Sequence, residues 1–140
     1  MKTCLWIVLF LTTINVITAQ SEEEKIRITI QKYLKGTSYS NPEMIKEAFY
    51  EEADLFLSHK EKEIWVVSPE EYANLFVKRE KGVFNGRTGN IISMDIEGNI
   101  ATAKAEILIE SKKVKYIDIF LLKKIKGQWK VISKAATIRN

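Results

Sequence analysis

The chain is short of the residues that most chemistry needs. It has one cysteine, Cys4, and one histidine, His59, in 140 residues. Cys4 lies in an apolar N-terminal run, so the chain beyond it offers no disulfide, thiol nucleophile or thiolate metal site. A single histidine without cysteine partners gives a metal nothing to build on, and His59 itself stands beside Lys60 in a polar turn. No Gly-x-Ser-x-Gly turn occurs, and the serines have no His or Asp partners at helpful spacing. The glycines of Lys81 to Asn90, KGVFNGRTGN, lack the Gly-Lys-Ser/Thr ending of a phosphate cradle. No cofactor motif is present either. Charge of one sign is also scarce. Lys and Arg number 22 against 18 Asp and Glu, a net +4 spread among acids as in Lys60 to Glu63. The nearest basic cluster, Lys123, Lys124, Lys126 and Lys130, surrounds one turn, which reads as a solvated strand end and not a nucleic-acid surface.

What the chain has begins with a leader. Met1-Lys2 is positive, Cys4 to Ile17 is almost wholly apolar, and Thr18-Ala19 ends in a small residue before Gln20-Ser21. This is the pattern of a secretory signal peptide cleaved after Ala19, too short for a membrane span of about 20 residues. The expected product is a secreted or periplasmic domain, residues 20–140, not inserted in the membrane and held by its apolar core alone.

Helix signals dominate the first half. Ser21-Glu22-Glu23-Glu24 has the form of a capping box, and Ile26, Ile30, Tyr33 and Leu34 follow on one stripe before Gly36. Asn41-Pro42 is a cap with proline at the first helical position, and Met44, Ile45, Ala48 and Phe49 form its apolar face. Ser68-Pro69-Glu70-Glu71 repeats both devices, with Tyr72, Leu75 and Phe76 expected inward. Between these two helices Leu55–Ser58 and Ile64–Val67 read as a hairpin, and Lys81 to Asn90 reads as a loop. From Ile91 to Ile138 the chain alternates apolar and polar residues between short turns at EGN, ESKK and KGQ, an antiparallel meander. Ala101, Ala103, Ala105, Ile107 and Ile109 form one face of a strand whose small side chains suit a close helix or an open cavity. Val114 to Leu122 is apolar on both faces, which predicts a mid-sheet strand covered on both sides, the second by another copy of the chain. The expected fold is α+β, three N-terminal helices packed in a cone against a curved, mostly antiparallel sheet.

Several segments resemble the nuclear transport factor 2-like superfamily, and within it the lumazine-binding branch. They are Tyr33-Leu34-Lys35-Gly36, Phe49-Tyr50-Glu51-Glu52-Ala53, Ile92 to Ile96 with Asn99-Ile100-Ala101, and Tyr116-Ile117-Asp118 through Gly127-Gln128-Trp129 to Lys134. The resemblance spans nearly the whole chain beyond the leader and rests mostly on core and turn residues. It implies a cone with a pocket. Two departures bear on activity. Tyr50 stands where relatives in that branch tend to carry histidine, and Leu55-Phe56-Leu57 lacks the carboxylate base that steroid-isomerase-like relatives place there.

Asp118 is the one acid inside an apolar strand, flanked by Ile117 and Ile119. Such a carboxylate must be hydrogen-bonded, either to a ligand in the cone or to Tyr33 as a structural lock. Alternation puts Asp118 on one face with Tyr116 and Phe120. Tyr33, Trp65, Tyr72, Phe76, Phe120 and Trp129 are the aromatics that could line a pocket with it. Three functions fit this set. The foremost is a non-catalytic binding domain for a small apolar or amphipathic molecule. The others are a cofactor-independent isomerase, dehydratase or hydrolase using Asp118 and Tyr33, and an interaction module acting through its sheet face.

Overall fold

A computed structural model describes the backbone of residues 3–139 and the side chains of residues 21–139. The leader Met1 to Ala19 therefore lies outside the residues whose side chains are described. Helix α1 runs from Thr3 to Ser38, α2 from Pro42 to Ala48 and α3 from Pro69 to Asn74. Strands β1 (Phe49–Leu57) and β2 (Trp65–Val67) fall between α2 and α3. Strands β3 (Arg87–Glu97), β4 (Ile100–Ile109), β5 (Val114–Ile125) and β6 (Gln128–Arg139) follow α3, with a 3₁₀ turn at Glu110–Lys112. All six strands form one sheet in the order β2-β1-β6-β5-β4-β3. Every pairing is antiparallel except β1 with β6.

The caps at α2 and α3 form as their sequences imply. Asn41 accepts a hydrogen bond from the Met44 amide at 3.1 Å, and Ser68 and Glu71 exchange both bonds of a capping box. The expected start and end of α1 do not hold. Ser21-Glu22-Glu23-Glu24 lies inside the helix, because no turn residue separates it from the apolar leader and the helix continues through both. Gly36 does not end α1 but serves close packing. A Cβ on it would lie 2.8 Å from Ile45 Cγ1 and 2.9 Å from the Ile45 backbone nitrogen, so α2 rests directly on α1 there.

Three other expectations are corrected. Phe49 is not on the face of α2 but begins β1, its backbone already extended. Leu75 faces solvent, since α3 ends at Asn74 and the chain turns away. The Arg87-to-Asn90 part of the supposed loop is the start of β3, and Gly89 sits in that strand so that Leu34 of α1 can press against it.

The core lies between the helices and the concave sheet face. It contains Ile26, Ile30, Tyr33 and Leu34 of α1, Ile45 and Ala48 of α2, and the β4 row Ala101, Ala103, Ala105 and Ile107. Three register shifts shape the sheet: one in β1 between Phe49 and Asp54 where it pairs with β6, and two single-residue bulges. Ile92 is the extra residue of β3, between the Ile91–Ala105 and Ser93–Lys104 pairs. Ile132 is the extra residue of β6, between the Leu121–Ser133 and Leu122–Val131 pairs. Each bulge bends its strand and inverts which residues face inward. On β5 the inward face is Tyr116, Asp118, Phe120 and Leu122, while Ile119 and Leu121 are exposed. Within this single chain β5 is thus covered on one side only.

Candidate functional site

A cavity of about 290 Å³ opens at one end of the cone. Leu57, Ser58 and Trp65 close one side, Tyr72, Phe76 and Arg79 another, and the β4–β5 turn supplies Ser111 and Lys112. Asp118, Lys134 and Arg87 add a charged group to this mixed apolar and polar wall. A wider groove of about 500 Å³ runs between α1 and β3 past Glu23, Arg27 and Ile91 to Ile96. That groove lacks a buried polar cluster, so the smaller cavity is the chemical one.

Asp118 and Lys134 are 1% and 2% exposed and form an ion pair of 3.0 Å. Tyr33 donates its hydroxyl proton to the same oxygen, Asp118 Oδ2, at 2.6 Å. Proton counting orders what remains. Because the Tyr33 proton goes to Asp118, the 3.0 Å contact between Tyr33 and Tyr72 must have Tyr72 as donor. Arg87 Nη2 then donates to both phenol oxygens, at 3.4 Å to Tyr33 and 3.3 Å to Tyr72. Every donor in the chain is directed towards Asp118. Burial holds the Tyr33 phenol well above its ordinary pKa, and the adjacent Asp118 carboxylate pushes it the same way. Burial works against the Arg87 charge, but the oxygens of Tyr72, Tyr33 and Asp118 outweigh it and raise its pKa further.

Lys134 has little hydrogen bonding beyond Asp118, and aromatic faces supply the rest. Its Nζ lies 5.4 Å from the Tyr33 ring centre and 5.3 Å from that of Tyr72. Arg79 and Arg87 similarly stand 5.6 and 5.9 Å from the Phe76 ring centre. Asn85 fixes the entry of Arg87. Its side chain donates to Thr37 O at 2.7 Å and Ser40 Oγ at 3.0 Å, and accepts from the Arg87 amide at 3.1 Å. The end of α1 thereby sets where β3 begins.

Of the residues singled out in the sequence, Trp65, Tyr72, Phe76 and Asp118 line the cavity, with Tyr116 beside them. Tyr33 lies behind the wall and reaches the site through its hydroxyl. Phe120 lies deeper, its ring edge-on to Tyr33 at 5.2 Å. Trp129 does not line the cavity. Its indole donates to Glu22 at 2.8 Å and ties β6 to α1. His59 packs edge-on against Trp65 at 5.4 Å in the exposed hairpin turn. Among the described residues no group of three or more His, Cys, Asp or Glu side chains converges as a metal site.

Sequence reading missed Arg87 and Lys134. Arg87 sits among glycines that suggest a loop, yet it opens a strand. Lys134 lies out of phase with Trp129 and Val131, and the bulge at Ile132 turns it inward. The one available signal was a lysine within ten residues of otherwise strand-forming sequence near the C-terminus.

A helix-lined cone closed by a curved six-stranded sheet, with its pocket at the open end, is the architecture of nuclear transport factor 2-like proteins. Solved structures share it. An NTF2-like protein of unknown function from Shewanella baltica matches with a TM-score of 0.75 at 21% identity, over 86% of this chain and 95% of that one. One from Silicibacter pomeroyi gives 0.76 at 14% identity, over 86% and 98%. A domain of unknown function with a cystatin-like fold from Nostoc punctiforme gives 0.69 at 15%, over 86% and 78%. At such identities the likeness concerns the fold. Comparison with curated protein sequences gives no match. The model of the family described as "Putative lumazine-binding" matches residues 21–135, and the chain belongs to that family.

Proposed function

We propose that this chain is an exported, non-catalytic binding domain that holds one small amphipathic molecule in the cavity at the open end of its cone. One observation carries this reading. A buried carboxylate, Asp118, the one acid among the residues lining the cavity, accepts both of its side-chain hydrogen bonds on Oδ2. Oδ1 is the acceptor left for a guest. Trp65, Tyr72, Phe76 and Tyr116 supply flat apolar surface around it. The family's name points to a flat heterocycle, which such walls suit.

The reading as an isomerase, dehydratase or hydrolase has the 2.6 Å Tyr33–Asp118 pair in its favour. Tyr33, however, lies behind the wall with its only proton committed, and Asp118 is already held by Lys134. A reacting substrate would have to displace that lock. Binding without turnover requires no such change.

Export rests on the leader, and the mature protein begins at Gln20. A homodimer completes the proposal. Val66, Phe56, Ala135 and Ile119 stand in register across four neighbouring strands on the outer sheet face, and Leu121 adjoins them. Val66, Phe56, Ile119 and Leu121 are all exposed. An apolar row of this kind on a monomer calls for cover.

The test is native mass spectrometry of the purified protein, followed by identification of any small molecule released on denaturation. A stoichiometric guest lost in Trp65→Ala and Asp118→Asn is the expected result. A protein that arrives empty and takes up nothing from a library of aromatic metabolites would refute the binding reading.

A further inference from the structure

The charges around the cavity do not balance. Four cationic side chains line it, Arg79, Arg87, Lys112 and Lys134, against the single carboxylate of Asp118, a formal excess of three positive charges. Only Lys134 is neutralised. Arg79, Arg87 and Lys112 have no carboxylate within ion-pair distance among the described residues. Arg87 is the least satisfied of them. Its two side-chain bonds, at 3.3 and 3.4 Å, are long for a guanidinium and go to neutral phenols. Its Nε is buried with no partner at all.

A half-buried guanidinium whose buried Nε has no partner is costly, and a guanidinium is built to grip a planar oxyanion in a fork. The apolar walls nearby would seat the rest of such a guest. With the cavity taken as the ligand site, we infer that its ligand is a carboxylate on a flat apolar body of one or two rings. Arg87 fixes the carboxylate, and Arg79 and Lys112 at the exposed rim draw it in. The volume, near the lower end of the roughly 300–1,000 Å³ usual for small-molecule pockets, sets the size. Asp118 then has a second role. By holding Lys134 it keeps one cation neutralised, so that the guest meets Arg87.

Paired isosteres test this directly. Benzoate and 2-naphthoate are titrated into the protein calorimetrically alongside benzamide and 2-naphthamide, which keep the shape without the charge. The carboxylates should bind at least about tenfold more tightly, as a charged hydrogen bond is lost in the amides. Raising salt from about 0.02 to about 0.5 M should weaken the carboxylates alone. Arg87→Gln should abolish the preference while amide binding persists. Because Arg87 is partly structural, the exposed pair Arg79→Gln/Lys112→Gln provides a second variant. It should slow carboxylate association and reduce its salt dependence, with the fold unchanged by circular dichroism. Equal binding of both members of each pair, or an amide preference, overturns the anion inference and leaves the cavity reading standing. No binding of any of the four to folded protein overturns both.

Discussion

At the scale of single residues, the buried Asp118–Lys134 pair is where a substitution bears hardest on stability. An ion pair of this kind contributes little net stability, yet removing one member leaves the other charge uncompensated. Asp118→Asn or Lys134→Met alone should therefore cost about 3–5 kcal/mol. The double variant should be far less damaged than the two costs added, because both charges go together. Urea denaturation of the three variants measures the coupling, and simple additivity would show that the residues do not act as a pair. Tyr33→Phe should cost about 1–3 kcal/mol by depriving Asp118 of a buried donor. Asp118 was visible in the sequence because an acid amid Ile117, Ile119 and Phe120 has few explanations. Its structure combines both options that the sequence left open, a lock to Tyr33 and a place on the cavity wall. Arg87 and Lys134 were not visible, since a basic residue near a turn or on a strand ordinarily faces water. Only the strand start and the bulge, both products of tertiary pairing, turn them inward.

At the scale of elements, the junction between α1 and the β5–β6 hairpin carries an acid-sensitive clasp. Glu22 accepts hydrogen bonds from Lys25 at 2.8 Å and from Trp129 at 2.8 Å, and pairs with Lys124 at 2.9 Å. The bond from Lys25, then those from Lys124 and Trp129, lower its pKa from 4.5 to about 2. Since the folded value lies below the unfolded one, the clasp's contribution is fully present above about pH 4.5 and lost as pH falls through about 2. Glu22→Gln should flatten the pH dependence of the unfolding midpoint across that window. An unchanged acid limb would mean that other carboxylates set it. Gly36→Ala should lower stability by about 1–3 kcal/mol, because the Ile45 backbone, and not merely a side-chain tip, must give way. Cap chemistry at α2 and α3 was legible because Asn41-Pro42 and Ser68-Pro69-Glu70-Glu71 act locally. The start of α1 was not, since a cap sequence stops a helix only where the residues before it leave the helical path.

At the scale of the whole molecule, alternation in the sequence conveyed the four-strand meander but not the β1–β6 pairing. That contact is parallel and joins residues such as Leu55 and Lys134, far apart in the chain, and no short turn announces it. The pairing has a consequence for assembly. It carries Phe56 and Val66 alongside Ala135 and Ile119, so an apolar row crosses four strands on the outer face. Ile119→Lys with Phe56→Lys should give a folded monomer if the row is a dimer interface. Sedimentation equilibrium at high micromolar concentration decides the matter. A wild-type chain that sediments as a monomer there would end the dimer proposal.

The bulge at Ile132 makes the pocket's polarity a matter of phase and not of composition. Every residue of β6 beyond it, Lys134 and Ala136 included, owes its inward or outward aspect to that one inserted position. Loss of a single codon there would export the buried ammonium to solvent and strand Asp118 without its counter-charge, although no pocket residue had been substituted. The same chemistry would be restored by a compensating one-residue insertion nearby. Pockets of this build can thus diverge between anion-accepting and neutral-accepting forms through length changes in one strand, a route that residue-by-residue comparison of relatives would overlook.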